Sequence, residues 1–149
     1  MKTITICSSA HFYRQVVDTE EQLIDMGYSV IIPSNAKVMK ESGDFDVTHY
    51  QTWFQDANDY HKKTKLMSDH FDEIARGDVT LILNYEKRGI ANYIGGNVLM
   101  EMAVAFYLKK PIVVLNDLPK DSAYLEELMG VNPIILNGDI SLLPAKLKS

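Results

Sequence analysis

Between Arg88 and Lys109 the chain carries one charged side chain, Glu101. It lies in the apolar run Val98-Leu-Met-Glu-Met-Ala-Val-Ala-Phe-Tyr-Leu108, directly behind Gly95-Gly96-Asn97. A carboxylate among apolar residues costs free energy unless a cation, a donor or a reacting atom compensates it. If a helix starts near Asn97, Glu101 falls around its first turn, where the helix dipole favours the ionised form. Such a carboxylate can act as a nucleophile, or steady a centre that develops positive charge. Gly95 and Gly96 let a ligand approach the backbone closely, and the helix start offers free amides to an anion. The structural alternative is a Glu that caps its own helix or pairs with Arg14 or Arg88. Periodicity alone leaves the two readings even.

Other polar residues cluster where strands end. Cys7-Ser8-Ser9 follows the first strand, and its hydroxyls and amides can hold phosphate or sugar hydroxyls, with Arg14 one turn on. The plainer reading is a Ser N-cap with a solvent-facing Arg, and Cys7 reads as core packing. Asn84 and Asn116 close two further strands. Lys87 and Arg88 follow Asn84 and are placed to screen a phosphate. Among His11, His49, His61 and His70, no pair shows a His-x-x-x-His or Glu-x-x-His spacing, and Cys7 is the only cysteine, so we expect no metal site and no cofactor. His70, on the long helix near Asp69 and Asp72, is placed to point at the cleft, but the commoner reading of such a His is a partly exposed surface residue.

The elements that must position these groups alternate strand and helix. Thr3–Cys7 is a β-rich run, followed by a helix over Ala10–Met26 that Gly27 ends. Tyr28–Ile32 is the next strand, stopped by Pro33. Ser34–His49 reads as a loop. A long helical pattern covers Tyr50–Arg76, with Trp53, Phe54 and Tyr60 among its apolar positions. Asp78–Asn84 and Pro111–Leu115 read as buried strands on either side of a helix over Asn97–Leu108. That helix, uncharged on every side but one, is expected to be buried nearly all round. Ser122–Met129, Pro133–Leu136 and Ser141–Leu147 complete the chain as helix, strand and helix. Continuous Val/Ile/Leu strands separated by helices predict a parallel sheet covered on both faces: a single-domain, three-layer α/β sandwich of Rossmann or flavodoxin type, five-stranded, over residues 1–149. Ligands of such sheets bind beyond the carboxyl ends of the strands.

Composition bounds the partners. The chain has 149 residues, 46% of them hydrophobic and 23% charged, with a net charge of −5. That suits a globular protein with a proper core and disfavours a binder of nucleic-acid polymers. Glu101 and the Gly-Gly turn break the apolar run, so it does not read as a membrane span. No signal peptide is visible at the N-terminus, and the default expectation is a cytoplasmic protein.

The stretches Ala75-Arg-Gly-Asp-Val-Thr-Leu-Ile-Leu-Asn84, Tyr93-Ile-Gly-Gly-Asn-Val-Leu-Met-Glu-Met-Ala-Val-Ala105 and Lys110-Pro-Ile-Val-Val-Leu-Asn116 resemble the nucleoside 2-deoxyribosyltransferase-like superfamily. That group includes the 2′-deoxynucleoside 5′-monophosphate N-glycosidases. The match is close over roughly the second half of the chain. The resemblance implies cleavage or transfer of an N-glycosidic bond on a nucleoside or nucleotide, with Glu101 as the nucleophile at C1′. It implies a substrate pocket framed by Ser8, Ser9, Asn84, Gly95, Gly96, Asn97 and Asn116. It aligns Asp78 with the family Asp that begins the third strand, either as a catalytic acid or as an anchor of the strand. Family transferases carry a further Asp about half a dozen residues before the nucleophile. Here Asn92-Tyr93-Ile94-Gly95 has none, which leaves base recognition unassigned. The family commonly completes its pocket across a subunit interface, so a homodimer or larger homo-oligomer is expected, with Tyr50, Trp53, Phe54 and Tyr60 as contacts. Two other readings stay open. One is a non-catalytic nucleotide-binding module. The other is a cytokinin-activating nucleotide phosphoribohydrolase, although the Pro-Gly-Gly-x-Gly-Thr signature of that type is absent.

Overall fold

A computed structural model describes residues 1–148; Ser149, the last residue of the expected domain, lies outside the described residues. Five parallel strands run in the order β2-β1-β3-β4-β5. They are β1 (Thr3–Ser8), β2 (Ser29–Ile31), β3 (Val79–Leu83), β4 (Ile112–Val114) and β5 (Ile134–Ile135). The three-layer α/β fold expected from sequence is the fold observed.

Strand alternation divides the core. Ile4 and Ile6 of β1 and Val79, Leu81 and Leu83 of β3 point to one face, where Val16 and Leu23 of α1 (Tyr13–Asp25), Ala36 of α2 (Ser34–Ser42) and Leu143 of α6 (Leu143–Leu147) cover them. Cys7 and Ile82 point to the other face. There they meet Ile74 of α3 (Tyr60–Arg76), Val98, Met102 and Ala105 of α4 (Gly96–Tyr107), and Leu128 of α5 (Leu125–Gly130). Both faces of β1 and β3 are therefore buried, which is why these strands read as apolar runs. The sheet order reverses between β1 and β3, and that reversal places the crevice between their carboxyl ends. No helix among the described residues is long and apolar enough to cross a membrane.

Three elements differ from the sequence reading. Ser34–Ser42 is a helix, not a loop; its inward side needs only Ala36 and Met39. Gly43 ends it in the left-handed region at φ 75°, its N–H donating to Met39 O. The long helix starts at Tyr60, not Tyr50. Residues 47–59 form three 3-10 turns, two of them opened by Asp46 and Asp56, whose carboxylates accept from Thr48 and Asn58 N–H. Such side chains compete with the helix for backbone donors, which overrides the apolar periodicity there. Finally, α4 is not buried all round: Met100, Phe106 and Tyr107 are exposed, and Tyr107 is 84% accessible.

Candidate active site

Glu101 is the sixth residue of α4, and its side chain turns under the sheet edge beside β1. It is 4% exposed. Burial pushes its carboxyl up to about 7, with the charges of His70 and Lys63 opposing the rise and Glu73 adding to it. Lying a full turn past the helix start, Glu101 is governed by desolvation rather than by the helix dipole.

His70 of α3 supplies the counter-charge. Its Nε2 stands 3.5 Å from Glu101 Oε2 and 3.1 Å from the Ile6 carbonyl, and its Nδ1 is 3.1 Å from Glu73 Oε1. Both ring nitrogens thus face acceptors, so the geometry fits the imidazolium, donating at each end. Burial pulls the His70 pKa down, but the Glu73 hydrogen bond and the Glu101 charge outweigh it and raise it. Cys7 Sγ completes the cluster, 3.3 Å from His70 Nε2. Burial, and then the charge of Glu101, raise this thiol, which argues against a thiolate nucleophile.

Glu73 is itself held from below. Its carbonyl accepts from Thr5 Oγ1 at 3.1 Å and from Gly77 N at 3.1 Å. Gly77 packs so closely on Thr5 that a Cβ at that position would overlap Thr5 Oγ1. The glycine that ends α3 therefore also sets the depth of Glu73, and through it His70.

Glu101, His70 and Asn97 line a cavity of about 60 Å³ together with Tyr13, Trp53 and Lys63. Lys63 Nζ donates to Asn97 Oδ1 at 2.8 Å and lies 5.7 Å from the centre of the Trp53 ring. The cavity wall thus joins a cation, an aromatic face and an amide beside the carboxylate. Burial and the neighbouring Glu101 charge raise the Tyr13 phenol, which stays protonated and available as a donor.

The other expected site residues separate into two groups. Asn97 shares the cavity with Glu101. Gly95 caps α4 in an extended conformation, where a Cβ would run into the Tyr93 side chain, while Gly96 is exposed at the helix start with open space beside it. Ser9 opens the 3-10 turn after β1, accepting from His11 N–H, and Lys87 Nζ donates to its hydroxyl at 3.3 Å. Ser8 is buried, its hydroxyl donating to the Ser9 carbonyl at 2.9 Å. Asn84 and Asn116 do not face the cavity. Asn84 Nδ2 donates to the Asp117 carbonyl at 2.9 Å, Asn116 N donates to Asn84 Oδ1 at 2.9 Å, and Asn116 Nδ2 donates to the Asn84 carbonyl at 2.8 Å. They staple the β3 and β4 exits together, which occupies both polar atoms of the Asn84 side chain and the Asn116 amide nitrogen. Asp78 stands at the amino end of β3, opposite the cleft, where its carboxylate accepts from Thr3 N at 2.8 Å. That is the anchoring alternative for Asp78. Arg14 stacks on the Phe45 ring at 4.3 Å and is not among the residues that line the cavity.

Sequence reasoning missed Cys7, Glu73, Lys63 and Tyr13 as site residues, and it ranked the cleft-facing reading of His70 below the surface one. One signal was present: His70 and Glu73 are spaced i, i+3, which puts them on one helix face.

No family model matches the chain, and no curated protein matches it in sequence. Solved structures do. A 2-deoxyribosyltransferase from the psychrotolerant bacterium Bacillus psychrosaccharolyticus superposes with a TM-score of 0.52 at 16% identity, over 83% of this chain and 78% of that one. A CMP N-glycosidase from Clostridium botulinum superposes with a TM-score of 0.53 at 16% identity, over 99% of this chain and all of that one. At this identity the shared property is the fold.

Proposed function

We propose that the chain cleaves or transfers the N-glycosidic bond of a nucleoside or nucleoside 5′-monophosphate, with Glu101 as the nucleophile at C1′. The observation that carries this reading is a desolvated carboxyl at the β1/β3 crevice, braced by His70 and flanked by Lys63, Asn97 and Trp53. It stands on a fold shared with a deoxyribosyltransferase and a CMP N-glycosidase.

In the reaction, a Glu101 oxygen bonds to C1′ as the C1′–N bond breaks. The electron pair leaves with the base, which takes a proton from solvent. The transition state carries positive charge on the sugar, which the carboxylate stabilises before capturing it. Water then opens the glycosyl ester and returns Glu101 as a carboxylate, or a second base attacks C1′ and completes a transfer. Burial near neutral pKa raises the basicity of the attacking oxygen, and His70 keeps enough of it ionised. Asn97, Lys63 and Trp53 are the groups placed to orient substrate.

One observation favours a second reading, a nucleotide-binding module without chemistry. The cavity at Glu101 holds about 60 Å³, whereas ligand pockets run to roughly 300 Å³ or more. A nucleoside therefore needs more room beside Glu101 than this cavity gives. The deciding experiment is chromatography of released base from a panel of nucleosides and 5′-monophosphates, with wild type beside Glu101→Ala and Glu101→Gln. Release that both variants lose supports the glycosidic reading. No release, or equal release by the variants, leaves the binding module.

We also propose self-association, through an apolar surface that keeps only part of the expected one. Trp53 is buried, while Phe54 and Tyr60 remain exposed. α4 adds Met100, Phe106 and Tyr107 to the exposed apolar surface. A monomer in light scattering at micromolar concentration would remove this proposal.

A further inference from the structure

Sequence spacing gives no metal motif because the three best ligands come from three elements: Cys7 from β1, His70 from α3 and Glu101 from α4. In the fold their Sγ, ring-nitrogen and carboxylate atoms all lie within 4.8 Å of one another, and all three residues are buried. We propose that Cys7 Sγ, His70 Nε2 and a Glu101 oxygen bind one Zn²⁺-class ion, which silences the site by occupying Glu101.

Three observations carry it. The first is ligand separation. Zn–S bonds of about 2.3 Å and Zn–N or Zn–O bonds of about 2.0–2.2 Å give tetrahedron edges of roughly 3.3–3.7 Å. Cys7 Sγ to His70 Nε2 is 3.3 Å, and His70 Nε2 to Glu101 Oε2 is 3.5 Å, so those two edges need no rearrangement. The second is the outer partner. Metal-bound histidines donate their other ring N–H to a carboxylate or carbonyl. Here Nδ1 already sits 3.1 Å from Glu73 Oε1, and both residues are buried. The third is charge balance. One dication replaces two protons, so the net charge of the buried cluster does not change, and the thiolate–imidazole pair selects a borderline metal over Mg²⁺ or Ca²⁺. Binding displaces the thiol proton and the Nε2 proton to solvent, and Nε2 exchanges its contact with the Ile6 carbonyl for the metal. The fourth tetrahedral position is left for water.

Binding itself does not depend on the proposed activity; silencing does, because the ion takes the lone pair that would attack C1′. The test is a Co²⁺ titration of tag-free, chelator-stripped protein followed by absorbance, then displacement by Zn²⁺. The expected result is one Co²⁺ per chain with a thiolate-to-cobalt charge-transfer band and tetrahedral visible bands. Cys7→Ser should remove the charge-transfer band, and His70→Gln should weaken binding at least tenfold. Glu73→Gln should weaken it 10- to 100-fold, as the loss of an outer carboxylate does. Circular dichroism melts confirm that each variant is folded. His49→Gln, in a separate exposed cluster, should bind as wild type does. No saturable binding at one per chain, or a spectrum unchanged by Cys7→Ser, overturns the proposal. If the panel of substrates yields base, stoichiometric Zn²⁺ should suppress release by wild type, and the release that Cys7→Ser retains should resist it. Release by wild type that Zn²⁺ leaves intact refutes silencing. If no substrate yields base, the activity reading fails, and the cobalt spectrum still decides the site.

Discussion

Among the described residues, two histidines each face two carboxylates, and they differ mainly in solvent. His49 is 2.6 Å from Asp44 and 3.4 Å from Asp46, with its side chain 59% exposed. His70 is 3.1 Å from Glu73 and 3.5 Å from Glu101, with its side chain 7% exposed. At the surface, hydrogen bonds dominate. Asp44 is lowered by the Asp46 N–H and the His49 ring, Asp46 by Thr48, and His49 is raised by Asp44. Each group there sits comfortably in its charged form. In the interior, desolvation comes first, and Glu101 is pushed up to about 7 although a cation lies beside it. The same residue types make an inexpensive surface knot in one place and a strained carboxylate in the other. Strain of that kind persists where a fold uses it.

The largest expected effect lies on the interior side. Glu101→Ala and Glu101→Gln should lower base release by several orders of magnitude, whereas Asp44→Asn should leave it within about twofold. Comparable losses from both clusters would erase the distinction.

Stability should show the reverse sign. Glu101 has a folded pKa of about 7 against an ordinary 4.5, so its charged form is disfavoured by folding. Below the unfolded value the carboxyl is protonated in both states and there is no cost. The cost grows as pH rises from 4.5 to 7 and is constant above. In chelator-treated protein, Glu101→Gln should therefore be more stable than wild type at pH 8, by up to about 3 kcal/mol, and nearly equal at pH 4. Urea denaturation at the two pH values measures it. A variant less stable at pH 8 would mean that the His70 contact outweighs desolvation.

A smaller effect tests how the interior cluster is held. Gly77→Ala must displace Thr5, whose hydroxyl donates to the Glu73 carbonyl. Overpacking of this kind costs about 1–3 kcal/mol. The same variant should shift the His70 ring resonances in NMR spectra and leave those of His49 in place. A wild-type denaturation midpoint would show that the α3–β3 turn has slack the structure does not suggest.

The contrast also explains what the sequence made legible. Buried strands and glycine stops announce themselves because burial on both faces demands continuous apolar runs, so the sheet and its layers were readable. Glu101 was readable for the converse reason, as a charge where the pattern forbids one. His70 was readable only as an alternative, since Asp69 and Asp72 beside it look like a solvated face and only the i, i+3 partner Glu73 points inward. Cys7 looked like packing because it is packing on the β1 face, and its neighbours arrive from 63 and 94 residues away in sequence. Asn84 and Asn116 were read as substrate ligands from their position at strand ends. Position at a strand end is shared by residues that bind and residues that staple, and only the hydrogen bonds separate them.

The smallest effect belongs to the surface knot. His49 should titrate above its ordinary 6.5 in an NMR pH series, because the Asp44 hydrogen bond holds its proton. A raised histidine contributes stability that is complete below its unfolded pKa and is lost as pH rises through the folded value. His49→Gln should therefore match wild type at pH 8 and fall slightly below it at pH 5, with salt shrinking the gap because exposed charges are screened. The interior pair should be far less sensitive to salt, since the His70 and Glu101 side chains are only 7% and 5% exposed. If added salt moved the two histidine titrations equally, solvent would be reaching both clusters, and burial could not be the cause of the raised Glu101 carboxyl.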